Sequence, residues 1–117
     1  MTPASHGHSQ LLTLARKAEA AASDGDPERL ENTALTLFEA LIAHVDQERS
    51  DLAQLAPAQR RLLVRGQQRV VDLLVELAIE AQAPGPCQCT RLSRELSARL
   101  SLQADDERRA GIAPPAW

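Results

Sequence analysis

The sequence predicts an all-α fold, an up-down-up-down antiparallel four-helix bundle, on three observations. Leu and Ala dominate a composition that is 44% hydrophobic yet holds only Phe38 and Trp117 as aromatics. Apolar residues recur at alternating steps of three and four in four segments, the spacing of one helical face. Gly and Pro gather between those segments, where they stop one helix and start the next. At 117 residues the chain can bury one core but not two, so residues 1–117 read as one domain with residues 1–7 and 111–117 as flexible tails.

In the first segment His8, Leu11, Leu12, Ala15, Ala18 and Ala22 fall on one face, and Ser23-Asp24-Gly25 supplies a glycine stop. Asp26-Pro27 is an N-cap and first-turn pair. Leu30, Ala34, Leu37, Leu41, His44, Glu48 and Leu52 then form the inward stripe of a second helix. Pro57 opens a third segment whose stripe is Leu63, Gln67, Val70, Leu74, Leu77 and Ala81, flanked by Val64, Gln68, Val71 and Ala78. It ends before Ala83-Pro84-Gly85-Pro86, a rigid turn. The fourth segment starts near Thr90, a candidate N-cap, and puts Leu92, Leu96, Leu100, Gln103 and Glu107 on one face with Arg99 beside them. Short connections between amphipathic helices make sequential neighbours antiparallel.

Composition narrows the function classes. A net charge of −3 and a near absence of base-stacking aromatics argue against nucleic acid as a partner. Every apolar run is interrupted by charge well short of the roughly 20 residues that span a bilayer, and the first residues lack a signal peptide's charged and apolar regions, so no membrane is expected and the chain reads as cytoplasmic. Cys87 and Cys89 are too few and too close for a disulfide framework; they read as incidental thiols or as a soft-metal or redox pair. Glycine loops that cradle phosphates, paired-carboxylate motifs and Ser/His/Asp signatures are missing from the sequence, which reads as a non-enzyme.

The departure from the apolar pattern is His44 and Glu48. An imidazole and a carboxylate four residues apart project from the same helical face, and on a core stripe each needs a partner: the other, another side chain or a metal ion. With His8-x-x-Leu11-Leu12, the Ser23-Asp24-Gly25-Asp26 turn and the run Leu37-Phe38-Glu39-Ala40-Leu41-Ile42-Ala43-His44-Val45-Asp46-Gln47-Glu48, the first half of the chain resembles the hemerythrin-like, or HHE cation-binding, family of four-helix bundles. The second half shares only the helix layout. The resemblance implies a non-haem metal site fed by all four helices, with His8 matching the first ligand and His44 and Glu48 the second pair. Imidazole and carboxylate suit iron, manganese or zinc.

The rest of that ligand set is replaced. The third helix offers Gln67 and Gln68 where the family brings histidine, with Asp72 one turn beyond Gln68 as the nearby carboxylate. Aligning the fourth helix on the second puts Arg99 in the His place and Gln103 in the Glu place. An inward guanidinium would set a fixed positive charge where a cation should bind, which weighs against a full di-iron centre. Three arrangements follow: Arg99 pairs with Glu48 in a buried polar network; one divalent ion sits on His8, His44 and Glu48 with Asp72 or water; or His44 and Glu48 face solvent or a partner chain. The functional expectation is a divergent hemerythrin-like binding or regulatory module with no cofactor or a single divalent metal. The alternative is a metal-free structural or assembly bundle that docks a protein partner or a second copy, for which the Arg61, Arg65 and Arg69 ridge or the Pro-Pro-Ala-Trp tail would serve.

Overall fold

The computed structural model describes residues 8–82 and 88–112, with the His8 side chain outside the described set. Helices α1 (His8–Ser23), α2 (Pro27–Ala53), α3 (Pro57–Gln82) and α4 (Cys89–Arg109) follow in order. They pack in a ring in which α1 touches α2 and α4, and α3 touches α2 and α4. This is the expected up-down-up-down bundle. No described helix is long and apolar enough to cross a membrane.

The connections follow from local chemistry. Gly25, at φ +67°, ends α1: its N–H donates to the Ala22 carbonyl, and the Asp26 N–H donates to Ala21. Asp26 then caps α2, its side chain accepting from the Arg29 N–H, and Pro27 stands at the first helical position. The end of α4 repeats the device with Gly111 at φ +90°, its N–H donating to Arg108 and the Ile112 N–H to Glu107. Ile112, assigned to a tail from sequence, is instead buried against Leu52 and Leu63, the apolar contact that accompanies such a cap. The start of α4 departs from expectation: Gln88 occupies the N-cap position without a side-chain cap bond, and Thr90 lies one residue inside the helix. The Gln88 N–H donates to Glu80 Oε1, which ties the entry of α4 to the end of α3.

The core has two parts. The larger packs Leu11, Leu37, Leu74, Leu77, Leu96 and their neighbours from all four helices; the smaller joins Leu52, Leu63 and Ile112 at one end. Helix lengths explain the division. At 1.5 Å per residue, the 16-residue α1 runs back from its turn about 24 Å, to roughly the level of His44, whereas the 27-residue α2 continues to Ala53. Among the described residues the bundle therefore has three helices beyond the start of α1. His44, Glu48, Gln67, Gln103 and Glu107 lie between the two apolar clusters, whereas the buried Ser93 bonds the Cys89 carbonyl within the larger one.

Candidate metal centre

The interior layer between the clusters is built from three helices. On α2, His44 and Glu48 continue the stripe of Leu37 and Leu41 one and two turns on, and each is 3% exposed. On α3, Gly66 and Gln67 follow Leu63; on α4, Gln103 and Glu107 follow Leu100. Glu107 is fully buried. His44 Nε2 lies 2.8 Å from Glu48 Oε2 and 3.7 Å from Glu107 Oε1. One imidazole nitrogen and two carboxylate oxygens so converge with all three ligand atoms within 4.8 Å of one another.

The other oxygen of each carboxylate is held by an amide. Gln67 Nε2 donates to Glu48 Oε1 at 3.1 Å, and Gln103 Nε2 donates to Glu107 Oε2 at 2.8 Å and to the Leu63 carbonyl at 3.0 Å. These bonds fix the carboxyl planes so that Glu48 Oε2 and Glu107 Oε1 turn toward the imidazole. Such outer hydrogen bonds orient ligating carboxylates in metal sites. Gly66 makes the arrangement feasible, because a Cβ there would collide with Gln103 Oε1. We expect Gly66→Ala to lower stability by about 1–3 kcal/mol, since displacing the buried amide outweighs the roughly 1 kcal/mol gained in helix propensity. Urea unfolding of the two proteins measures this, and a more stable variant would show that the Gln103 bonds are dispensable.

The electrostatics of His44 and Glu48 are set by burial and by their carboxylate and imidazole neighbours. Burial pulls the His44 pKa down, but the hydrogen bonds with Glu107 and Glu48 overcome it and raise it to about 9. For Glu48 burial is the larger influence, pushing the carboxyl up to about 7; the hydrogen bond with His44 opposes the rise and the neighbouring Glu107 adds to it.

Sequence and structure agree on His44, Glu48, Gln67 and Gln103 as inward residues and differ on the others. Arg99 makes no ion pair with Glu48 among the described residues; Glu48 bonds Gln67 and His44 instead, and the buried Arg99 Nε finds no hydrogen-bond partner there. The cause is register. The residues of α4 level with His44 and Glu48 are Gln103 and Glu107, one turn beyond the Arg99 and Gln103 alignment. Asp72 is likewise no part of the site: it is exposed and accepts from Gln68 Nε2 at 2.9 Å on the outer face of α3. Gln68 follows Gln67 by one residue, a turn of about 100° away from the core. His8 begins α1, but its side chain lies outside the described residues, as does Cys87. Cys89 is buried and disulfide-bonded, not a free thiol. Glu107 is the residue that ligand alignment missed. Its signal was a carboxylate on the Leu92, Leu96 and Leu100 stripe.

Comparison of the chain with family models, curated proteins and solved structures returns no match.

Proposed function

We propose that the chain is a divergent hemerythrin-like binding module, not an enzyme, that holds one divalent transition-metal ion on His44, Glu48 and Glu107. The observation that carries this reading is the division of labour at the two carboxylates. Each gives one oxygen to a glutamine amide and turns the other toward the same imidazole nitrogen. A neutral imidazole, two carboxylates and a divalent cation make a neutral unit in a buried site, whereas a proton on His44 offsets only one carboxylate. The donor set of one nitrogen and two carboxylate oxygens suits iron, manganese or zinc, and His8, at the head of α1, is the residue the family resemblance offers as a further nitrogen ligand.

A cavity of about 310 Å³ lies between α2 and α3, lined by Val45, Arg49, Leu52, Arg60, Val64 and Gln67, and the Gln67 amide separates it from Glu48. A small ion or ligand reaching the site from this side meets that amide first.

Metal-free protein titrated anaerobically with Fe²⁺, and separately with Mn²⁺ and Zn²⁺, is expected to take up one ion per chain. The His44→Ala variant should lose that uptake. Wild-type protein that stays folded and binds none of the three ions removes the metal reading.

A further inference from the structure

We propose that the outer face of α2 and α3 is the contact surface of a homodimer, in which α3 packs antiparallel against α3 of a second copy about a two-fold axis between Gln68 and Arg69. The metal centre does not enter this inference. Two independent features of the exposed surface carry it, one apolar and one electrostatic.

The apolar feature is a second stripe on each helix, turned away from the core. Leu35, Ile42, Val64, Val75 and Ile79 are 44% to 63% exposed although each is a large aliphatic. Leu35 and Ile42 belong to a row Leu35-Phe38-Ile42-Val45 with steps of three and four, so α2 carries one apolar row for the bundle and another beside α3. On α3, Val75 and Ile79 face Leu35 and Phe38 across a shallow groove of about 320 Å³, and Val64 lies with Val45 of that row in the cavity of about 310 Å³ further along the two helices. Single exposed aliphatics are ordinary on a monomer; a contiguous set along two adjacent helices marks a contact surface.

The electrostatic feature identifies the occupant. Arg61, Arg65, Gln68, Asp72, Glu76 and Ile79 follow one another at steps of three or four along the exposed side of α3. The row is basic in its first half and acidic in its second. Arg61, Arg65 and Glu76 enter no ion pair among the described residues, and Asp72 accepts only from Gln68. When a second copy of α3 lies antiparallel, Arg61 meets the Glu76 of the copy and Arg65 meets its Asp72. Both pairings share one midpoint, between Gln68 and Arg69, as a two-fold axis requires. A surface complementary to itself under a two-fold operation is the hallmark of an isologous dimer, and flanking charge pairs set its register while the apolar rows supply affinity.

The test is analytical ultracentrifugation of the full chain from low to high micromolar concentration, with charge reversals at exposed positions that leave the bundle core untouched. Wild type is expected to dimerise. R61E/R65E and D72K/E76K each set like charges against like at both ends of the interface, and each should weaken the dimer by at least about tenfold. Mixed in equal amounts, the two variants should form a heterodimer as tight as the wild-type homodimer, because each supplies the charges the other now needs. Circular dichroism of each variant checks that the fold is kept. Wild type that is monomeric throughout, a dimer indifferent to both reversals, or a mixture that does not associate would each overturn the proposal.

Discussion

His44→Ala is expected to destabilise the metal-free protein by roughly 3–5 kcal/mol near neutral pH, the loss typical of removing one partner from a buried ion pair. The substitution takes away the positive group that Glu48 and Glu107 face and leaves two carboxylates in a layer that water does not reach. They can be accommodated only by taking up protons, so the deficit should shrink as the pH is lowered toward the ordinary carboxylate range. Urea unfolding with an unchanged dependence on denaturant gives the number directly. A loss no greater than about 1 kcal/mol, ordinary for a single substitution, would mean that the carboxylates do not depend on the imidazole.

The second large effect is a reversal of pH dependence on metal loading. Both His44 and Glu48 bind their protons more tightly in the fold than in the open chain, with pKa values raised to about 9 and about 7. A raised pKa contributes stability that is fully present below the unfolded value and is lost as the pH climbs through the folded one. Metal-free protein should therefore be most stable below about pH 4.5 as far as these groups decide it, losing stability through pH 7 and again toward pH 9. Metal ligation needs the same groups deprotonated. Stabilisation by Zn²⁺ should then be small at pH 5 and grow toward pH 9. At free metal about a hundredfold above Kd the gain is about 2.7 kcal/mol, on the order of 10 °C in Tm for a domain of this size. Thermal melts with and without Zn²⁺ across that range would refute the assignment if the metal shift were independent of pH.

The fold was legible in the sequence because each local signal agreed with the global one. The periodic stripes, Gly25 and the Asp26-Pro27 pair fixed where helices start and stop, and burial of the stripes leaves few other packings. The site was legible on α2, where a His and a Glu interrupt an otherwise aliphatic row. It was less legible on α4, because a periodic pattern gives the face of a helix but not its height against its neighbours. Arg99, Gln103 and Glu107 are all compatible with the α4 stripe, and choosing among them needs the length of each helix and connection. The contacts of Gln103 with Leu63 and of Glu107 with His44, together with the Gly111 cap, supply that height in the structure. Asp72 was misplaced for a related reason: Gln67 and Gln68 are adjacent, and only one of them can face inward. Gly66, through which Gln103 reaches α3, carried no signal that distinguishes it from an ordinary helical glycine.

In the proposed metal site α4 supplies the third ligand, Glu107. Metal stoichiometry in Glu107→Gln and Asp72→Asn tests it most directly, since both exchange a carboxylate for an amide of the same shape. Asp72→Asn is expected to bind one ion per chain with wild-type affinity, while Glu107→Gln loses affinity by more than the roughly 10–100-fold that follows removal of a supporting hydrogen bond. Wild-type affinity in Glu107→Gln, or a loss confined to Asp72→Asn, would contradict it.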